Sequence, residues 1–569
     1  IRMLAPEVLD VATLPLDEAT EHVVDGLAGD TDYTFELVSV NGAGELSPFP
    51  SAPITVRTLP APELYVAPYG DDAHPRAGTR LNPFATVTAA LRSSDTSLPI
   101  TLRLAAGTYR ESTLRIADRT VTIEGGYDAS WTRGGGPSVL SVASSGDLEP
   151  LTATRFNTTR RRTRAAIQTE RATLTLDAVE LVVSDASATS CVTALWAHAS
   201  DVRLRNSIVT GARSGPCRVA IAAHEGQLSL LDSTLSATST VPSTASEHVA
   251  LFTRATAEVT VADSELFGVD ARASGPFTSS VRGAFGWIDQ GTSQLRMTRS
   301  QASAATGFAA SPLSADVVGA LDLTGVGSFF VDNSVLQTPR GARAADVVRV
   351  AGAESVRIYQ STVVLGHEFA PATRNTSDRS SVIRLEGRVR SFALYNDLLA
   401  YADWSAATPY AAVLDLAGLD RVALLASSVR GNVFSYPPAD RVTAGLGGGP
   451  LVMCDFLGEE FSVVALSETQ LNQTSHYTCR SGGTVVASNN VALLTNPGTS
   501  PASRSGVVLE ESGDVVHAGS PSTHPTVTDV LRAGAILPTS FPWAEVSRDR
   551  VGVMRSGPAR PGVGAFVIP

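Results

Sequence analysis

The chain has 569 residues, 43% hydrophobic and 18% charged, with a mean hydropathy of +0.09; that is material for a large core, but too much chain for one compact domain unless it is built from repeats. A net charge of −12 argues against nucleic acid as the main partner, and no apolar run reaches the roughly 20 residues of a membrane span. All 44 basic residues are arginine, so no lysine is present to serve as a catalytic base or form a Schiff base.

The opening "IRMLAPEVLD" lacks the basic start and apolar stretch of a secretion signal, so the chain reads as a mature product or a fragment. Residues 1–59 include "VDGLAGDTDYTFELVSVNGAGELSPFPSAPITVRTLP". The Leu27-x-Gly29-x-x-x-Tyr33 stretch resembles the tyrosine corner of fibronectin type III domains, and "VNGAGELSPFPSAPITVRT" is similar to that family's last two strands. A complete domain of that family needs about 90–100 residues, so residues 1–59 are expected to form a partial module, with "TLPAPE" (58–63) as the linker.

The next segment, "LYVAPYGDDAHPRAGTRLNPFATVTAAL" (64–91), starts as a strand, passes through a polar turn and ends in a short helical stretch. Asp71, Asp72 and His74 invite a catalytic reading, but their setting is that of turn residues.

From residue 174 one pattern recurs: a short alternating strand, a polar residue, often a serine, then more apolar residues. The copies are "LTLDAVEL" (174–181), "VRLRNSIV" (202–209), "LSLLDSTL" (228–235), "VTVADSEL" (259–266), "LRMTRSQA" (295–302), "FFVDNSVL" (329–336), "VRIYQSTV" (356–363), "FALYNDLL" (392–399) and "VALLASSV" (422–429), with successive copies 26 to 36 residues apart. Sandwich strands recur every 8–12 residues, and no amphipathic helices separate these copies as a doubly wound fold requires. The pattern therefore predicts a solenoid whose coils add parallel strands to continuous sheets. In "VRLRNSIV", Val202 and Leu204 are expected to point in, and Arg203 and Arg205 out. Asn206, Asp232, Asp263, Asn333 and Gln360 each stand just before a serine and are expected to form an interior or turn ladder from coil to coil.

The four cysteines fit the same frame. Cys191 falls 12 residues after Val179 and Cys217 falls 10 after Ser207, which hold the same repeat position. The two therefore lie near equivalent points on adjacent coils, about 4.8 Å apart along the axis, within reach of a disulfide. Cys454 and Cys479 are also about one coil apart. Two coil-to-coil disulfides and an oxidising compartment are expected; four buried thiols are the alternative. No C-x-x-C spacing or histidine cluster suggests a metal, and no cofactor is expected.

The segment 64–91 resembles the N-terminal signature of right-handed parallel β-helix proteins of the pectate-lyase-like superfamily, matched here by Tyr65, Val66, Ala67, Pro68, Gly70, Asp72, Gly78, Thr79, Pro83, Phe84, Thr86, Val87, Ala89, Ala90 and Leu91. "AAGTYRESTLRI" (105–116) and "VTIEGGYDASWT" (121–132) are similar to the first coils of secreted bacterial members. The end of the chain, with Gly519-Ser520-Pro521, Asp549, Gly552, Arg555 and Val563-Gly564-Ala565-Phe566, resembles their closing segment (515–569). The resemblance implies an all-β chain: a parallel β-helix over 60–569, capped by 64–91, after a small β-sandwich module.

Enzymes of that superfamily act on polysaccharides, the lyases with lysine or arginine bases and carboxylate-held calcium, the hydrolases with clustered aspartates and a Gly-His-Gly motif. This chain has no lysine and no Asn-Thr-Asp, Asp-Asp-Cys or Gly-His-Gly cluster. An arginine-based site built from neighbouring coils is not legible in one sequence. "TTRRRTR", with Arg160, Arg161, Arg162 and Arg164, reads as a solvated loop. His224-Glu225 reads as an exposed turn rather than an acid–base pair. Tyr401, Trp404 and Tyr410 cluster in an inter-coil loop and are candidates for glycan or partner contact, or for covering the coil interior. The expected function is non-catalytic: a secreted or cell-surface bacterial β-helix for adhesion, glycan contact or extracellular assembly. A polysaccharide lyase or glycoside hydrolase and a subunit of an extracellular filament or sheath are the alternatives.

Overall fold

In the computed structural model, the described residues comprise most of 62–401 apart from several inter-coil loops, short strands between 411 and 519, and parts of 2–57. The solenoid is a parallel β-helix with three strands per coil. One complete coil runs Cys191–His198, Asp201–Arg205 and Ile208–Thr210, and the next Cys217–His224, Gln227–Leu231 and Thr234–Ser236. We call the three faces first, second and third in that order. Strands pair in parallel with their counterparts one coil on: Cys191 lies opposite Cys217, Val202 opposite Leu228 and Val209 opposite Leu235. Among the described residues the third face is a sheet of 12 strands.

The sequence pattern covers the second and third faces. On the second face, alternation sends Val202 and Leu204 inward, both buried, and Arg203 and Arg205 outward, both exposed. Parallel register then stacks like on like: Leu174, Val202, Leu228, Val259 and Leu295 form one inward column, and Leu176, Leu204, Leu230, Val261 and Met297 another. Each fully buried aliphatic side chain contributes about 2–3 kcal/mol. The last copy is out of register in the sequence pattern: Phe392 pairs with Ser427, not with Val422.

The first-face strands escaped that pattern because they do not alternate. All of Cys191–Ala197 is buried. Val192, Leu195 and Ala197 join the main core, while Cys191, Trp196, Cys217, Val219, Phe252, Phe285 and Ile288 form a second apolar cluster on the outer side. A strand buried on both sides reads as a continuous apolar run.

The expected ladder exists, but the serines build it. Asn206, Asp232, Asp263, Asn333 and Gln360 hold φ between 47° and 51°, the left-handed geometry that Asn and Asp tolerate best. Asn206 donates to Asp177 at 3.3 Å and Asp263 accepts from Arg299 at 2.8 and 2.6 Å across coils, but the continuous run of coil-to-coil bonds comes from the next residue. The backbone N–H of Ser207, Ser233, Ser264, Ser300 and Ser334 donates to the hydroxyl of Ser233, Ser264, Ser300, Ser334 and Ser361 in turn, at 3.0–3.3 Å. Each hydroxyl donates to the carbonyl two residues back, as Ser264 does to Ala262. Ser361 hands the ladder on to the Asp397 carboxylate at 2.8 Å. A serine fits because a buried turn N–H needs an acceptor, and only a short side chain fits inside the corner.

At the start, a seven-residue helix, Val87–Ser93, buries Val87, Ala90 and Leu91 in the main core, so the first coil has an apolar lid. The glycines of the opening segment are forced by close approach. A Cβ on Gly70 would sit 2.3 Å from the Phe84 carbonyl oxygen, and Gly78, at φ +91°, faces the Phe84 ring at 2.5 Å. Ahead of the solenoid, Leu9–Asp10, Arg2–Ala5, Asp32–Glu36 and Ile54–Arg57 form one four-stranded antiparallel sheet, with Tyr33 buried. No second sheet of a sandwich is among the described residues there. Beyond the solenoid strands, Gly506–Leu509 and Val515–Gly519 pair as an antiparallel hairpin; residues after 519 lie outside the described set. No helix among the described residues is long and apolar enough to cross a membrane.

Candidate functional site

The polar turn of the opening segment is structural. Asp72 accepts from the backbone N–H of Ala85 (2.7 Å) and Thr86 (3.1 Å) and from the Thr86 hydroxyl (2.8 Å). Thr86 in turn caps the helix by accepting from Ala89 N–H at 3.1 Å. Glu111, from the next coil, accepts from Val87 N–H (2.6 Å) and from the Thr88 hydroxyl (2.6 Å), so two carboxylates hold the helix start. Asp71 and His74 each accept from the backbone N–H two residues on, at 2.9 and 3.1 Å, and act as turn residues.

His224 corrects the sequence reading. It ends a strand and is buried rather than set in an exposed turn, stacked on Trp196 with ring centroids 4.4 Å apart and Phe252 at 5.8 Å. Burial first, then the Arg254 and His198 charges, push its pKa down to about 4. Glu225 is exposed in the turn at φ +62°, so the two are not an acid–base unit. Cys191 and Cys217 form the expected disulfide, with Cα atoms 4.5 Å apart on directly opposed residues. Cys454 and Cys479 lie outside the described residues, as do Arg160, Arg161, Trp404 and Tyr410; Tyr401 ends the strand Leu398–Tyr401. Of the basic run, Arg162 pairs with Asp147 at the surface and Arg164 with Asp185.

Sequence reasoning missed a charge cluster on the outer side of the first face. Register places Asp322, Arg349, Arg384 and Asp415 in one column on four successive coils, with Asp346 and Glu386 beside it. Arg349 binds Asp322 at 2.6 Å and also Glu386; Arg384 binds Asp346 at 3.0 Å and Asp415 at 3.2 Å. The Ser381 hydroxyl donates to Asp346 at 2.8 Å. Each guanidinium thus sits between a carboxylate from the coil before and one from a later strand, which offsets the repulsion between the two arginines that the register sets opposite each other. The side chains of Asp346, Asp415 and Arg384 are at most 5% exposed. The cluster's charges are paired with one another, while Asp322 Oδ2 and Arg349 Nε are buried with no hydrogen-bond partner; among the described residues no three acidic, histidine or cysteine side chains converge as metal ligands. The signal for it was the recurrence of single charges at coil spacing, invisible without the register.

The second face is open. Six outward side chains form a grid over three coils, Asp201, Gln227 and Glu258 in one column and Arg203, Ser229 and Thr260 in the next. They line a groove of about 200 Å³ over Val202 and Leu228. Its floor is low because Ser229 and Thr260 are short, whereas Arg203 rises at one end. Toward the other end, one coil past Thr260, stands Arg296, its guanidinium 5.2 Å from the centroid of Phe330. Phe330 meets Tyr359 edge-on with centroids 5.5 Å apart, and Tyr359 stacks on Tyr395 at 5.2 Å. Among the described residues no ion pair engages Asp201, Arg203 or Glu258, whereas Arg103 on the same face and Arg299 at its border are each paired with a carboxylate.

No family model matches the chain, and no curated protein matches it. Among solved structures, the Yersinia enterocolitica family 28 exopolygalacturonase aligns over 77% of this chain and 86% of its own, at 12% identity and a TM-score of 0.27. A rhamnogalacturonan lyase aligns over 72% of this chain and 92% of its own, at 10% identity and a TM-score of 0.30. At these values neither carries an argument about what this chain binds or does.

Proposed function

We propose that this chain is a non-catalytic, extracellular β-helix protein that contacts a glycan through the open groove of its second face. The observation that carries the reading is the contrast between the two charged regions. The arginines and carboxylates of the first face are buried and ion-paired with each other, while Asp201, Arg203 and Glu258 stand exposed or half-exposed, outside any ion pair, along a groove. Side chains in that state can exchange water for the hydroxyls of a sugar, and charged groups make the stronger hydrogen bonds. The Cys191–Cys217 disulfide supports an oxidising location. Residues 1–59 serve in this reading as a fibronectin-like spacer ahead of the solenoid. The test is a glycan array probed with the full chain, with a parallel assay of acidic and neutral polysaccharides for new reducing ends and unsaturated products. Binding without products is expected; products would replace the reading with catalysis, and a silent array would end it.

A polysaccharide lyase or hydrolase is the second reading. The observation favouring it is Arg349 and Arg384 set among four carboxylates on one outer face.

A further inference from the structure

We infer that the second-face groove takes a neutral, hydroxyl-rich linear glycan of β-1,4-linked pyranose units lying along the solenoid axis; the inference rests on the glycan-contact reading above and names its ligand class.

Charge argues for neutrality. Asp201 and Glu258 stand in one column of the groove and Arg203 in the next, so opposite charges are interleaved and the carboxylates outnumber the arginine. A polyanion would gain from Arg203 and lose at Asp201 and Glu258, one coil-step on either side of Gln227, on a chain whose net charge is already −12. A vicinal diol has no such conflict. It donates to a carboxylate and accepts from a guanidinium or amide, so every group in the grid finds a partner.

Direction follows from repetition. The parallel register sets comparable polar groups at intervals of about 4.8 Å along the axis, close to the rise of an extended β-1,4-linked chain. A ligand along the axis meets a new polar pair at each unit. A ligand across the face would leave the sheet within the width of one five-residue strand. The short side chains of Ser229 and Thr260 leave room for sugar rings, and Arg296 on Phe330 marks the far end of the run.

The experiment is calorimetry of the full chain with cellohexaose, mannohexaose and hexagalacturonate at low and high salt. A neutral hexaose is expected to bind with little salt dependence, and Arg203→Gln and Glu258→Gln are each expected to weaken it about tenfold or more, the effect of losing about 1.4 kcal/mol. Both residues are exposed, so unchanged thermal unfolding of the variants separates lost binding from lost folding. Binding of hexagalacturonate alone, or neutral binding untouched by both variants, overturns the neutral-groove inference and leaves glycan contact standing. The same holds if the array responds while neither neutral hexaose binds. A silent array ends both.

Discussion

Asp289 is a carboxyl group inside the solenoid. It accepts from the hydroxyls of Thr253 and Thr292, and Thr253 in turn accepts from the Trp287 indole at 2.8 Å. Burial lifts its pKa to about 6, although those hydrogen bonds pull the other way. A carboxyl whose folded pKa stands above its unfolded value of about 3.9 stabilises the fold fully below that value, and the contribution is lost as the pH rises through about 6, a swing of about 3 kcal/mol. His224 runs in the opposite sense: its depressed pKa gives stability that is present above about pH 6.5 and lost as the pH falls toward about 4. Chemical denaturation of the wild type and Asp289→Asn at about pH 4 and pH 7 should therefore show a difference between the two proteins that changes with pH by that amount; a constant difference would refute the assignment. Asp72→Ala, which removes three hydrogen bonds from the helix start, should cost about 1–3 kcal/mol locally and show as faster hydrogen exchange at Ala85 and Thr86, while distant coils keep their protection.

Elements carry a different lesson. The second-face strands were legible because one side is buried and the other wet, which imprints a period of two. The first-face strands were not, since Cys191–Ala197 is buried on both sides and its sequence carries no alternation. The ladder was half legible. Asn206 and its counterparts mark the turn because left-handed geometry selects them, yet the bond-making atom belongs to the serine behind, whose inward direction only the register reveals. Ser264→Ala would leave the buried Ser233 N–H with no acceptor and is expected to cost about 1–3 kcal/mol. Asn206→Gly keeps the backbone geometry and should stay within about 0.5 kcal/mol by thermal unfolding; equal effects would mean the serines are not the ladder. The disulfide was legible from spacing alone, because repeat position fixes height along the axis. Its replacement, Cys191→Ala with Cys217→Ala, should lower stability by about 3 kcal/mol, as expected for a bridge across 26 residues, and non-reducing peptide mapping of the wild type should recover the Cys191–Cys217 linked peptides.

Across the whole molecule, neither charged region could be read beforehand. Asp322, Arg349, Arg384 and Asp415 are scattered over nearly a hundred residues of sequence, and Asp201 and Glu258 over more than fifty; loops of unequal length hide their alignment. The ion-paired cluster makes a testable distinction at this scale. Arg384→Met strips the cation from between Asp346 and Asp415 and should cost about 3–5 kcal/mol, with much of the loss recovered when both aspartates are replaced by leucine. If the cluster were instead catalytic, Arg384→Met would abolish product formation from a polysaccharide that the wild type degrades. Coils of a solenoid touch only their neighbours, so a pull on the two ends loads them in series rather than together. Under such tension the rod should come apart coil by coil, and the Cys191–Cys217 bridge would lock one loop out of the extension, shortening the fully drawn chain by about 90 Å for its 26 residues. If the second-face groove holds a glycan as proposed, that bridge would act as a mechanical stop.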